Sequence, residues 1–194
     1  MPKYFHFHSD NIDWNEELDS KRCEAIKSDG QQCKKHTVIG LDFCYVHTKS
    51  KLKLQIKKST IKEAGKGLFA VGPPNKIIFK NKQRICLYNG EFIDADELYE
   101  RYQDDTAPYG VRLNNEKGEP KYEDAATERG IGSTANHTSN KSKINARLAV
   151  SRQNRCQLMA TKDIKGGKEI LVDYGDEYNM TEPGVETYTD NKQY

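Results

Sequence analysis

No apolar run in this 194-residue chain approaches the length of a bilayer span. Its first residues carry neither the basic stretch nor the hydrophobic stretch of a secretory leader. The expectation is an intracellular protein with no membrane partner. Apolar residues are scarce at 35%, tryptophan occurs once, and charged residues reach 31%, which leaves too little material for two large cores. Eleven tyrosines and six phenylalanines are nevertheless spread along the chain, enough aromatic surface to argue against global disorder. One domain with its own core and a small appendage fits these bounds. The five cysteines are an odd number, so they do not form a closed disulfide framework.

The near-neutral total of +2 conceals separated blocks. Residues 1–19 hold one Lys against five acids, residues 20–62 hold eleven Lys or Arg against three acids, and residues 173–194 hold one Lys against six acids. A concentrated basic block favours phosphate backbones or acidic surfaces as partners. The plain alternative is a solvated lysine-rich face.

That basic block contains Cys23, Cys33, Cys44 and His47 in a C-x9-C-x10-C-x2-H pattern, with Gly30 and Gly40 where the chain must turn. Three thiolates and an imidazole are a donor set for tetrahedral zinc, and a closed set of four leaves no position for catalysis. The short Cys44–His47 step lets one turn of backbone present both side chains. Free thiols, or His36 as the fourth ligand, are the alternatives. A segment this short needs a metal to fold, with Ile39, Phe43 and Val46 as its minimal core. Its spacing resembles the plant WRC zinc module and Cys3His segments of viral and phage proteins, a resemblance that implies a nucleic-acid role. Cys86 and Cys156 read as buried thiols. His6 and His8, near the N-terminus, form an H-x-H pair in an acidic stretch and read as part of an ordinary N-terminal segment.

Beyond the cluster the pattern is mainly of period two. Lys51–Ile56 alternates, Leu68–Val71 is a second strand, Gly72–Asn75 a turn, and Lys76–Leu87 a region of further strands. Asp94 starts a helix to Tyr102, with Glu97 completing a capping box. Tyr109–Leu113 returns to strand, Asn114–Gly118 is a hairpin-type turn, and Ile144–Thr161 alternates before a Lys165-Gly166-Gly167 turn. The fold class is mostly β, an α+β domain of short strands with one or two helices.

Three strings stand out within it: Ala64-Gly65-Lys66-Gly67-Leu68-Phe69-Ala70, then Asn136-His137, then Glu169-Ile170-Leu171-Val172-Asp173-Tyr174-Gly175. In this order and spacing they resemble the SET family of protein-lysine methyltransferases, including its small viral members, over residues 54–178. The resemblance implies a SET-domain fold of short β-sheets with a C-terminal pseudoknot, preceded by the small zinc-binding module. The organisation is then an N-terminal segment (1–20), the Cys3His module (21–50), the SET domain (51–178) and a tail (179–194).

It also implies S-adenosyl-L-methionine as cofactor beside structural zinc. Gly65, Lys66 and Gly67 would bring backbone groups and a positive charge to the cofactor, Asn136 would hold its amino-acid end, and backbone groups at His137 its adenine. Tyr174 matches the tyrosine beside the transferred methyl and is the expected centre of catalysis, with Tyr109 as a second catalytic side chain. Tyr88, Tyr109 and Val172 would line the lysine channel, and Val172 stands where the family often has a larger aromatic, which leaves room for products beyond monomethyl-lysine. Asp124-Ala125-Ala126 lies at the family's spacing before Asn136. Around the Asn-His pair the family's Arg-Phe-Ile and Ser-Cys are replaced by Ser133-Thr134-Ala135 and Thr138-Ser139.

A post-SET cysteine cluster has no counterpart after Cys156, so Asp176-Glu177-Tyr178 and the acidic tail to Tyr194, with Tyr188, are the candidates to close the site. The implied activity is lysine methylation of a basic protein such as a histone tail, drawn into an acidic groove. Nuclear or chromatin association follows if the source is a eukaryote or its virus. Nucleic acid would be met through the basic module, and homodimers are known among the small viral relatives. The competing class is a catalytically weak SET fold acting as a zinc-dependent DNA or chromatin adaptor, separable by whether cofactor binds.

Overall fold

Strand β3 (Leu54–Lys58) pairs antiparallel with β4 (Lys66–Ala70) so that Leu54 stands opposite Ala70 and Ile56 opposite Leu68. Alternation therefore puts Leu54, Leu68 and Ala70 on one face, at 1% exposure or less. The computed structural model describes residues 20–38, 40–103, 107–113 and 121–175. In chain order its remaining elements are β1 (Ser20–Arg22), β2 (His36–Val38), α1 (Tyr45–His47), β5 (Ile77–Phe79), β6 (Arg84–Leu87), β7 (Glu91–Asp94), α2 (Ala95–Tyr102), β8 (Gly110–Arg112), β9 (Lys121–Asp124), β10 (Asn136–His137), β11 (Ala146–Val150), β12 (Cys156–Ala160), β13 (Ile164–Lys165) and β14 (Leu171–Val172). The fold is mostly β, as the sequence implies.

No sheet here exceeds three strands. β11–β12–β6 and β7–β9–β8 are three-stranded, while β1–β2, β3–β4, β5–β13 and β10–β14 are pairs. Such small sheets cannot stand alone, and four of them share one core. Leu54, Leu68, Phe79, Ile85, Leu158, Ile164, Ile170 and Val172 converge in it from β3, β4, β5, β6, β12, β13, β14 and the residue before β14. A second cluster of Tyr88, Leu113, Ala125 and Cys156 lies under β8 and β9, with Tyr109, Val111, Leu148 and Val150 packed on it.

The pair β10–β14 runs parallel, Asn136 opposite Leu171 and His137 opposite Val172. The Thr138 amide donates to the Val172 carbonyl at 3.1 Å and the Asn145 amide to the Leu171 carbonyl at 3.0 Å. The closing segment thus lies between the two arms of the 135–146 loop, the threading expected of the pseudoknot.

Buried carboxylates join the sheets. Asp124, fully buried on β9, meets Arg101 Nη1 at 3.0 Å, accepts from the Tyr102 hydroxyl at 2.8 Å and from the Ala126 amide at 3.1 Å. Arg101, on the helix, also reaches Glu91 at 2.9 Å and Glu97 at 2.6 Å. Burial, and then the Asp124 charge, push the Tyr102 phenol well above its ordinary range. Glu123, also fully buried, accepts from the Gly90 amide at 3.0 Å and the Cys156 amide at 2.6 Å, tying β9 to β12.

Three expectations change in detail. Lys51–Lys53 are not strand: Thr48–Leu52 forms a π-helical turn and Lys53 leaves it left-handed at φ 57°, so β3 starts at Leu54. The period-two pattern there cannot register the helical start that His47 imposes. Asp94 does cap α2, accepting the Glu97 amide at 2.9 Å, but the Glu97 side chain turns to Arg101, because a guanidinium is a stronger partner than a backbone amide. Val46 is 47% exposed and is no core residue of the Cys3His module; Ala25, at 1%, takes that place beside Phe43. Residues 114–118, Ile39, His6, His8 and the tail beyond 175 lie outside the described residues.

Removing Arg101 would strand Asp124 in the interior, a loss of about 3–5 kcal/mol. Arg101→Ala is expected to lower the urea midpoint accordingly, whereas Lys62→Ala, whose partner Glu63 is exposed, should leave it within error.

Candidate functional site

Tyr174 follows β14 directly, and the parallel pairing delivers it to the end of β10. Its hydroxyl donates to the Ala135 carbonyl at 2.7 Å, and its amide donates to Nδ1 of His137 at 3.1 Å. The rings of His137 and Tyr174 lie 5.5 Å apart, tilted by 41°. Chain entry and side chain are thus both fixed. Asp173, largely exposed, approaches His137 Nδ1 at 3.6 Å.

A cavity of about 570 Å³ opens beside Tyr174. Tyr88, Tyr109 and Val172 are on its wall, along with Ala135, Leu148, Ser133 and Asp173. Tyr88 is buried and donates its hydroxyl to the Tyr109 carbonyl at 2.9 Å. Burial holds its phenol well above the ordinary value, the neighbouring Tyr174 adding to the effect, so it stays neutral. Arg129 lies over the Tyr109 ring at 4.3 Å, a cation–π contact that pins this wall. The structure therefore brings the four predicted channel and catalytic residues to one place.

Asn136 sits on the other side of β10, half-buried. Its Nδ2 donates to the Lys66 carbonyl at 3.1 Å and to Glu169 Oε1 at 3.3 Å. This commits the amide's donors to protein and leaves Oδ1 without a partner among the described residues. Lys66 is exposed and makes no ion pair among them. An acceptor oxygen on Asn136 and an exposed cation on Lys66, the residue whose carbonyl its amide binds, suit the ammonium and carboxylate of a free amino acid, so the two residues fit the methionine end of S-adenosyl-L-methionine. At Gly65, φ is +62° and a Cβ would meet open space. Gly67 differs: a Cβ there would lie 2.1 Å from Glu169 Oε1 and 2.9 Å from Asn136 Nδ2. Its missing side chain makes room for the protein's own carboxylate.

Glu169 was legible only as a letter of the closing motif. At 5% exposure it accepts from Ser59 Oγ at 2.6 Å, from the Thr60 amide at 2.7 Å and from the Thr60 hydroxyl. It thereby fastens the loop before Gly65 to Asn136. No local signal marks this, because Ser59 lies 110 residues away and Asn136 lies 33.

In the N-terminal module, one ligand atom each from Cys23, Cys33, Cys44 and His47 lies within 4.8 Å of all the others. His47 Nδ1 is 3.5 Å from Cys23 Sγ and 3.4 Å from Cys44 Sγ. Tetrahedral ligands about 2.0–2.3 Å from zinc would stand at comparable separations. The Cys44 amide points at Cys23 Sγ at 3.2 Å and the Lys35 amide at Cys33 Sγ at 3.4 Å, as suits thiolates. The four residues fit a structural zinc ion, and exposed His36 is not among them. Cys86 and Cys156 stand apart as free thiols. Cys156 is buried and Cys86 half-buried, and burial pushes both up to about 12, which leaves them unreactive.

The chain belongs to the SET-domain family: residues 31–175 match the family model described as SET domain. The crystal structure of the Chaetomium thermophilum polycomb repressive complex 2 is similar at 26% identity and a TM-score of 0.52, covering 69% of this chain and 16% of that one. An active polycomb repressive complex 2 in the stimulated state matches at 25% identity and 0.53, covering 70% and 16%. The structure of ctPRC2 in complex with H3K27me3 and H3K27M matches at 28% and 0.52, covering 66% and 15%. This chain therefore spans only a small part of the length of those chains. No curated protein matches it in sequence.

Replacing Glu169 by Ala should release Asn136 and the Ser59–Thr60 turn together. Amide exchange at Thr60 is expected to accelerate at least about tenfold, the equivalent of a lost charged hydrogen bond, with Glu169→Gln intermediate. Unchanged exchange in both variants would show that this carboxylate does not hold the loop.

Proposed function

We propose that this protein is an S-adenosyl-L-methionine-dependent protein-lysine N-methyltransferase. The SET family is generally one of protein-lysine methyltransferases, and what supports the reading most is the meeting of Tyr174, Tyr109 and Val172 in one cavity at the end of β10, where Asn136 also lies. The cofactor, when bound, supplies the activated methyl carbon. Asn136 and Lys66 would hold its amino-acid end, and the open space at Gly65 lets backbone approach it.

The other half of the reaction is a lysine amine, which is protonated at neutral pH with a pKa of about 10.4. A channel walled by Tyr88, Tyr109, Leu148 and Val172 penalises the ammonium and favours the neutral nucleophile. The Tyr174 hydroxyl, fixed by its bond to the Ala135 carbonyl, stands at the cavity wall where that amine would be oriented. Alignment and desolvation are the protein's contributions. Val172 takes little space, so products beyond monomethyl-lysine are expected.

Histone tails and other basic chromatin proteins are the first substrates to offer, since the structural relatives are chromatin complexes. Labelled S-adenosyl-L-methionine with core histones, nucleosomes and a cell lysate should yield methyl-lysine by mass spectrometry, including dimethyl forms. Tyr174→Phe is expected to keep cofactor affinity and lose at least about a hundredfold in kcat, and Asn136→Ala to weaken cofactor binding itself. A fully active Tyr174→Phe protein would refute this mechanism. Absence of both cofactor binding and transfer would leave a SET fold working as an adaptor.

The Cys3His module we read as a zinc-held anchor for nucleic acid. Exposed Lys34, Lys35, Lys51, Lys57 and Lys58 make no ion pair among the described residues, a surplus that a phosphate backbone would neutralise. One zinc per chain is expected by elemental analysis. Chelation should unfold β1–β2 and abolish a duplex-DNA affinity that falls steeply with salt; affinity that survives chelation would place the contact elsewhere.

A further inference from the structure

The cavity beside Tyr174 has a charge pattern opposite to the acidic groove expected for a lysine-rich tail. Its charged side chains among the described residues are Arg112, Arg147 and Asp173. Arg112 comes from β8 and Arg147 from β11, so two separate sheets each bring an arginine to the lining of one cavity. Both arginines are exposed, and neither makes an ion pair or hydrogen bond to a described side chain. Arg22 caps the carbonyls of Gln32 and Cys33, Arg101 binds three carboxylates, and Arg155 reaches Asn89 and lies over Phe92; exposed Arg84 and Arg152 also bind no described side chain, but neither lines the cavity.

Asp173 does not neutralise the pair. Its carboxylate accepts from the Gly175 amide at 3.0 Å and leans toward His137. The wall beside the two arginines is otherwise uncharged, with Tyr122, Leu148, Tyr109 and Val111. A peptide lying here is extended, rising about 3.3 Å per residue. Side chains within a few residues of the target lysine therefore fall inside the cavity's reach. A second lysine or arginine in that stretch meets two guanidinium groups that no described carboxylate neutralises. A carboxylate meets planar donors suited to it in pairs.

We infer that Arg112 and Arg147 form a subsite for an anionic side chain of the substrate, so that the preferred target lysine has an acidic residue within about four positions of it. The inference rests on the lysine-methyltransferase reading and narrows its substrate class: a protein can be basic overall, but the methylated segment carries a local acid. The step catalysed is unchanged, and the subsite acts by binding and register alone.

The test uses the full chain and one synthetic lysine peptide of small neutral residues, with Glu, Lys or phosphoserine placed in turn at each of the four positions on either side. Peptide binding is followed by fluorescence anisotropy with cofactor present, and kcat/KM by mass spectrometry. At one or two positions Glu is expected to improve both by about fivefold or more over Lys, and added salt to erode the gain. A larger gain for phosphoserine at the same position would identify phosphate as the preferred anion; a gain for Glu alone would identify the carboxylate. Arg147→Glu should reverse the preference toward the Lys-containing peptide while cofactor affinity stays as in the wild type, and Arg112→Glu should do so in the same sense. Transfer to every peptide regardless of flanking charge, or a preference that survives both reversals, overturns the subsite and leaves the enzyme intact. Failure of any transfer together with loss of cofactor binding overturns the enzyme reading and the subsite with it.

Discussion

Asn145 is the clasp on which the site depends. Its side chain donates to the Glu169 carbonyl at 2.7 Å and accepts from the Leu171 amide at 3.0 Å, while its own amide donates to the Leu171 carbonyl. One 9%-exposed residue thus satisfies the backbone edge of the short closing segment that β10 leaves open. A two-residue parallel pair such as β10–β14 has little intrinsic stability. It persists because Asn145 holds one side and Val172 and Ile170, at 1% and 0% exposure, anchor the other in the core. The positions of Asn136 and Tyr174 both follow from that arrangement: the first lies on β10, the second just past β14.

The carboxylates play a related part at lower visibility. Glu169, Glu123 and Asp124 are all at or below 5% exposure, and each is surrounded by donors from distant segments. Small sheets offer few hydrophobic contacts between one another, so directional bonds to a central acid decide how they meet. Such groups favour one arrangement because every alternative leaves an acid unpaired. In this chain that selectivity counts for more than net stability, since the apolar fraction is low and the core must be shared among many strands.

Much of this was readable in the sequence, and the limits have physical causes. Strand β12 follows from period-two alternation, since Cys156, Leu158 and Ala160 share its buried face, whereas β4 was legible as a short apolar run and is buried on both faces. The Cys3His ligands were legible because metal spacing is written locally, and the Asp94 cap because capping needs only three residues. Lys51–Lys53 misled because their alternation reads as strand, while the helical segment that starts at Tyr45 runs on through Leu52. The roles of Glu169 and Asn145 were invisible, for their partners are brought close only by the threading. Arg112 and Arg147 went unmarked for the same reason, since they sit on strands that the sequence separates and the fold brings to one cavity, while the acidic tail expected to contribute an acidic groove lies outside the described residues.

The metal module and the channel are connected by contacts that cross the fold. Gly40, with φ at +89°, approaches the backbone of Glu128 and Arg129 so closely that a Cβ would fall 2.5 Å from the Arg129 nitrogen. Leu41 beside it packs on the main core. The Arg129 guanidinium in turn lies over Tyr109, a wall of the cavity. Only glycine permits both the left-handed turn and this approach, so the loop between Cys33 and Cys44 is shaped at once by its ligands and by the domain it rests on. The Cys3His cluster is therefore part of the support of the channel wall: its order fixes the Gly40 loop, that loop backs Arg129, and Arg129 holds the ring against which a lysine side chain would lie.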